Sequence, residues 1–316
     1  MHTTRLDDLA IPALGFGCAS MLGRVGRRDS LRALEQAWDA GVRLYDVAPS
    51  YGYGEAEVLL GSFLRGRRQQ AILITKFGLE PRRIPPLQRA LKPLVRAAMQ
   101  KMPAARQSVR HQLQTLAPTP RFNIATLHAS VERSLRALRI DCIDILLAHE
   151  APAELTEQHD LLAALEDLRK SGKIRCAGVS GMDATAALAA APGVLRVAQL
   201  PAPLFATSKA PTSPHPGLLM ANHVFGGAER ARILQQRIAS LASSQELPES
   251  LRGRLRMPSE AALAQLAFSA ARTNTDAHTI IASMFQPEHL RANLAAIEAP
   301  AFSAEDLATI EAALPS

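Results

Sequence analysis

Cysteine is scarce. Cys18, Cys142 and Cys176 are the three in 316 residues, and they lie far apart. Their number and spacing exclude a disulfide framework and a zinc cluster, so free thiols packed as small core residues in a reducing cytosol are expected. No apolar run is long enough to span a membrane. The opening MHTTRLDDLAIPALGFG carries acidic residues where a secretory leader carries basic ones, and it lacks an apolar stretch of sufficient length. A phosphate-loop fingerprint is missing as well. The stretch GFGCASMLGRVG holds glycines after a strand-like run, but without G-x-G-x-x-G spacing or a helix directly following. That argues against a doubly wound sheet.

What is present is a regular alternation of strand and helix patterns. Strand-like runs are Leu14 to Cys18, Val42 to Asp46, Ala71 to Thr75, Cys142 to Ala148, Ile174 to Val179, Leu195 to Ala198, Leu218 to Ala221 and Thr279 to Ala282. Helical spacing separates many of them: Leu31, Leu34 and Trp38 behind a cap at Asp29 or Ser30, then a helix beginning near Gly54. Further helical patterns comprise Ile124, Leu127, Val131, Leu135 and Leu138, a helix from about Leu161, another around Glu260 to Ala271, and one opened by Pro287. Strands alternating with helices pair in parallel, and eight such units close a barrel. The chain is read as one (β/α)8 barrel domain over residues 1–316, a size at which one large core is readily buried.

In such a barrel the functional groups gather at the C-terminal ends of the strands. Asp46, Tyr51, Lys76, His149, Ser180 and Gln199 all fall at or just beyond those ends. Asp46 and Tyr51 share one strand-to-helix loop within DVAPSYGYGEAEVLLG. Taken singly, each has a plainer reading as a cap, a packing residue or a solvated charge. Their joint placement at successive strand ends makes them a candidate site. His128, near a helix's apolar face, and Asp141 and Asp144, ahead of the strand body, are assigned to structure instead.

The ordered series DAGVRLYDVAPSYGYGEAEVLLG, Lys76 after an apolar strand, DCIDILLAH, GKIRCAGVS and, near the end, PEHLRANL resembles the aldo-keto reductase superfamily. The likeness covers most of the chain, and is thinnest over 80–122 and 205–257. It implies a barrel, a nicotinamide cofactor that is usually NADPH, with NADH as the other candidate, and a tetrad falling on Asp46, Tyr51, Lys76 and His149. It also implies carboxamide contacts from Ser180 and Gln199, although the Asn expected beside the serine is Gly181. The family's stacking aromatic falls near Asn222, where MANHVFGG offers His223 or Phe225 in place of tyrosine. At the adenosine end, Ser283 stands for a common lysine and His289 for a basic residue, with Arg291 and Asn293 in the same helix.

The residue types suit that chemistry. Reducing a carbonyl leaves an alkoxide, which needs a proton donor, and Tyr51 is the candidate. A free phenol titrates at about 10, so a cation beside it is expected to favour the phenolate. Lys76 would be that cation, held by Asp46, while His149 would orient the carbonyl. Two other readings are weighed against it: a lyase using Lys76 as a Schiff-base nucleophile, which the adjacent Asp46 disfavours, and a non-catalytic cofactor-sensing module on the same barrel. The net charge of +7 suits an acidic ligand such as a dinucleotide. Finally, PRRIPPLQRALKPLVRAAMQKMPAARQSVRHQL forms a basic excursion at about 80–122, with Leu91, Leu94, Val95, Ala98 and Met99 on one face. It is read as a solvated rim segment in preference to a lid or a membrane patch. The expectation is therefore a cytoplasmic enzyme acting on a small carbonyl or aldose substrate, with no nucleic-acid or membrane partner.

Overall fold

The structure, a computed structural model, describes residues 2–81, 119–205, 217–299 and 301–314. The apolar face expected over residues 91–99 lies outside them. Two strands that the sequence reading did not anticipate come first: β1 (Thr3–Leu6) and β2 (Leu9–Pro12) form an antiparallel hairpin. Eight parallel strands then close into a barrel: β3 (Leu14–Gly17), β4 (Leu44–Asp46), β5 (Ile72–Phe77), β6 (Ile143–His149), β7 (Ile174–Ser180), β8 (Leu195–Pro201), β9 (Leu218–Asn222) and β10 (Thr279–Ala282), with β10 pairing both β9 and β3. All eight match the strand-like runs of the sequence.

Strand side chains alternate between the lumen and the helices. Leu44, Ile74, Ile145, Leu147, Cys176, Val197, Leu218, Met220 and Ile281 pack together inside, and Leu6, Leu9 and Ile11 of the hairpin join the same cluster. The hairpin thus plugs the N-terminal end of the barrel. Continuing the alternation upward by two residues reaches Asp46, Lys76, His149, Gln199 and Asn222, and by four residues from Cys176 it reaches Ser180. The polar groups form the next layer above an apolar floor.

Around the barrel run α1 (Arg27–Asp39), α2 (Ala56–Phe63), α3 (Ile124–Leu138), α4 (His159–Lys170), α5 (Ala184–Ala190), α6 (Ala228–Leu241), α7 (Glu249–Leu255), α8 (Ser259–Thr275), α9 (Pro287–Glu298) and α10 (Ala304–Ala313). The cap expected at Asp29 or Ser30 is not there. Gly26 occupies the N-cap of α1, Asp29 lies in the first turn and Ser30 is buried inside the helix. His128 is exposed, off the apolar face. Asp144 lies within β6 and is buried, accepting from the Leu73 N–H and pairing with Arg68 at 2.9 Å and Arg175 at 3.2 Å. It is a structural clamp, as read, though set inside the strand.

Helices α2 and α3 approach closely because Gly61 has no side chain. A Cβ there would meet the Leu138 carbonyl oxygen at 2.4 Å. Gly61→Ala is therefore expected to cost about 1–3 kcal/mol through forced separation of the helices. At Gly253, also helical, a Cβ meets nothing within 4 Å. Gly253→Ala should instead stabilise by about 0.4–1 kcal/mol. Urea unfolding midpoints of the two variants, moving in opposite directions, check the packing.

Candidate functional site

The C-terminal mouth of the barrel collects the polar layer. Register aligns His149 with Ser180 and Ser180 with Gln199 across β6, β7 and β8. On the other side, Asp46 ends β4 and Lys76 stands on neighbouring β5. Tyr51 opens a short 3-10 turn, Tyr51–Gly54, in which Gly52, Tyr53 and Gly54 all have positive φ. A Cβ on Gly52 would meet the Met21 carbonyl oxygen at 2.7 Å, so this turn requires glycine there.

Four side chains converge. The Lys76 ammonium is buried and donates to the Asp46 carboxylate, with the Val47 carbonyl at 3.4 Å and the Tyr51 hydroxyl at 3.4 Å. The same ammonium lies 5.2 Å from the centre of the Tyr51 ring. His149 meets that ring edge-on, centroids 5.9 Å apart. The phenol, ammonium and imidazole expected from separate stretches of chain are thus in one cluster.

Their electrostatics follow from burial. Desolvation works against the Lys76 ammonium, but the charges and hydrogen bonds of Asp46 and Tyr51 outweigh it and leave its pKa raised. Lys76 stays protonated. The phenol behaves differently from the sequence expectation. Burial pushes Tyr51 up to about 12, against the lowering effect of Lys76. Tyr51 therefore rests as a neutral phenol, not a phenolate. Burial, then the Lys76 charge, then His223 push His149 down to about 3. The imidazole is neutral, and its Nδ1 is buried without a partner among the described residues.

Beside this cluster, Ser180 Oγ donates to Gln199 Oε1 at 2.9 Å. That bond leaves Gln199 Nε2 buried and unpaired, and Asn222 Oδ1 is likewise buried and unpaired among the described residues. A lone amide donor and a lone amide acceptor are complementary to a primary carboxamide such as that of nicotinamide. These residues fit such a group. The part of Asn222 in this pairing was not foreseen, because the sequence marked the position only for stacking. Gly181, where an Asn was expected, has φ +146 and donates its N–H to the Gln199 carbonyl. An L side chain would be strained there.

The other expected residues are less tightly grouped. Phe225 stacks on Phe268 at 6.1 Å and so is committed to packing, whereas His223 is exposed at the mouth. Ser283 and His289 are exposed; Asn293 is buried and donates to the Ser283 carbonyl at 3.5 Å. Pro287 opens α9 as expected, and Arg291 pairs with Glu288 at 3.3 Å. A large cavity of about 660 Å³ lies at the opposite end, lined by Asp8, Arg43, Arg68, Asp144 and Arg175. Arg68 and Arg175 are paired to Asp144 there, so that cavity belongs to the structural base of the barrel.

A closed parallel barrel whose mouth gathers a carboxylate, an ammonium, a phenol and an imidazole defines a class of (β/α)8 proteins. Residues 13–202 match the sequence model of the Aldo/keto reductase family, and the chain belongs to that family. It is 32% identical over 188 residues to a D-threo-aldose 1-dehydrogenase from Pseudomonas sp, covering 55% of this chain and 51% of that protein. It is 28% identical over 186 residues to the NADH-specific methylglyoxal reductase of Escherichia coli, covering 56% and 50%. The matched part thus spans about half the length of these curated relatives. Among solved structures, the fold is shared with an aldo-keto reductase from Bacillus halodurans in its holo form, at TM-score 0.68 and 22% identity over 96% of this chain and 93% of that one. It is shared too with an aldo/keto reductase from Klebsiella pneumoniae in complex with NADP and acetate, at TM-score 0.65 and 23% identity over 99% and 95%.

The depressed His149 pKa makes a pH prediction. The unfolded chain binds this proton below 6.5, while the folded site refuses it until about 3. The stability contribution is therefore complete above 6.5 and is lost progressively as pH falls from there towards 3. Between pH 6 and 4, stability of the wild type should fall more steeply than that of His149→Gln, by about 1.4 kcal/mol per pH unit. Equal slopes in urea titrations of the two proteins would contradict the assignment.

Proposed function

We propose that the protein is an NAD(P)H-dependent oxidoreductase interconverting aldehydes or ketones and the corresponding alcohols, a single barrel domain acting in the cytoplasm. The observation that carries this reading is the Tyr51 hydroxyl 3.4 Å from a buried, Asp46-held ammonium, with the His149 ring against the phenol. A bound dihydronicotinamide supplies the hydride. Ser180, Gln199 and Asn222 would hold its carboxamide. Tyr51, neutral at rest, protonates the oxygen as negative charge develops on it, and Lys76 stabilises the phenolate that remains. Neutral His149 orients the carbonyl by hydrogen bonding and adds no charge that would have to be neutralised. In the oxidising direction, the same phenolate takes the alcohol proton.

A Schiff-base role for Lys76 is poorly supported, since an amine kept protonated by Asp46 is not a nucleophile. NADPH is the cofactor assigned, by analogy with the NADP complex of the Klebsiella protein. The first-turn N–H groups of α9, whose N-cap makes no side-chain hydrogen bond, with the exposed His289 and Arg291, are the groups available to its 2′-phosphate. Arg291 is only lightly engaged by Glu288, both being well exposed. The NADH-specific relative keeps NADH in the test. For substrate, the relative named as an aldose dehydrogenase supports a sugar or its lactol. Small carbonyls are the comparison set.

Two outcomes are expected from a nicotinamide absorbance assay over aldehydes, ketones and aldoses with both cofactors. Tyr51→Phe should lower turnover about 10²–10⁴-fold while the cofactor dissociation constant stays near that of the wild type. Carbonyl reduction should be level with pH until the phenol ionises, and alcohol oxidation should climb about tenfold per pH unit below that point. Near wild-type turnover by the Phe variant would remove Tyr51 from the chemistry. Dissociation constants for NADPH and NADH, measured side by side, decide the cofactor.

A further inference from the structure

The α2 helix carries a carboxylate where its neighbours are apolar. Glu57 lies on the inner face with Ala56, Leu59, Leu60 and Phe63, and it is buried to 2% exposure. A carboxylate so enclosed needs partners, and it has one: the hydroxyl of Thr75 donates to Glu57 Oε1 at 2.7 Å. Thr75 is itself fully buried. From α3, the Ser134 hydroxyl faces the same carboxylate without a well-formed hydrogen bond.

Position in the fold gives this bond its meaning. Thr75 and Lys76 are consecutive residues of β5, so one points out to the helices while the other points into the lumen. Glu57 lies in the first turn of α2, three residues beyond the turn that carries Tyr51. That turn is built from three residues of positive φ, and the N-terminus of α2 lacks a side-chain cap. Where the phenol stands relative to the ammonium therefore depends on how α2 is seated against β5. The Glu57–Thr75 hydrogen bond joins those two elements one residue from Lys76 and six from Tyr51.

We propose that Glu57 is a positioning residue that, through the Thr75 hydroxyl, fixes α2 against β5 and so sets the 3.4 Å approach of the Tyr51 hydroxyl to the Lys76 ammonium. It touches neither substrate nor cofactor. The inference rests on Tyr51 acting as the proton donor, as proposed above. Because proton transfer is steep in distance, a small displacement of the phenol costs rate without altering the residues at the mouth that would hold the cofactor.

The test compares Thr75→Val, Glu57→Leu and Glu57→Gln, with turnover expressed per cofactor-binding site so that unfolded protein is discounted. Thr75→Val removes only the donor and keeps the shape, so it remains informative if Glu57→Leu fails to fold. Thr75→Val and Glu57→Leu should lose about tenfold or more in turnover, with cofactor affinity unchanged, and should show a larger solvent deuterium isotope effect on carbonyl reduction. Glu57→Gln keeps an acceptor for Thr75 and should recover most of the activity and the wild-type isotope effect. If Thr75→Val keeps the wild-type isotope effect, whether or not turnover falls, Glu57 is merely structural and the inference is overturned while the oxidoreductase reading stands. A wild type that turns over no carbonyl with either cofactor overturns both.

Discussion

An ammonium has been taken out of water at the mouth of the barrel, and the site is arranged around that fact. Lys76 is 1% exposed, and its charge survives because Asp46 accepts a hydrogen bond from it and the Tyr51 hydroxyl stands nearby. A buried charge stripped of its partner typically costs about 3–5 kcal/mol, so Asp46, Lys76 and the β4–β5 pairing that aligns them are answerable to the fold as well as to the chemistry. The same burial that makes the pair costly raises the phenol and depresses the imidazole. One desolvated layer thus yields a fixed cation, a neutral acid and a neutral hydrogen-bonding ring from three groups that in water would titrate within a few units of one another.

The two ends of the barrel divide their work. At the base, charge is neutralised locally: Asp144 is shared between Arg68 and Arg175, and the β1–β2 hairpin closes the lumen with Leu6, Leu9 and Ile11. At the mouth, buried polar atoms are left without protein partners: His149 Nδ1, Gln199 Nε2 and Asn222 Oδ1 among the described residues. Unpaired buried amides are uncommon in a finished core. Their gathering at the C-terminal ends of β6, β8 and β9 sets this rim apart from the base, where Asp144 is paired.

The barrel was legible in the sequence for a physical reason. Parallel strands covered on both faces read as short apolar runs, and all eight stood out, many of them separated by helical patterns; polar residues closing several of the runs then marked the mouth. The β1–β2 hairpin escaped because its four-residue strands mix Thr, Arg and Ala with Leu and Ile, and nothing local distinguishes a plug from a loose terminus. Helices α6 and α7 escaped where the family likeness was thinnest. For the site, residue identity revealed which groups meet but not how deeply they are buried. That is why the expected effect of Lys76 on Tyr51 had the right sign and the wrong outcome. Glu57 was visible in principle, as the one acid on an apolar helix face inside the very motif that carried Asp46 and Tyr51.

Closure of the barrel joins β10 to β3, pairing Ile280 with Leu14 and Ala282 with Phe16, and the Phe16 ring packs edge-on against Phe285 at 5.0 Å. During synthesis on the ribosome, the first barrel strand must wait until more than two hundred and fifty further residues have emerged before its second neighbour exists. Through that interval it presents a bare, apolar edge of the kind that invites pairing with other nascent chains. The ring is completed by a contact between residues far apart in sequence, which only its last strand can make and which is therefore intrinsically slow to form.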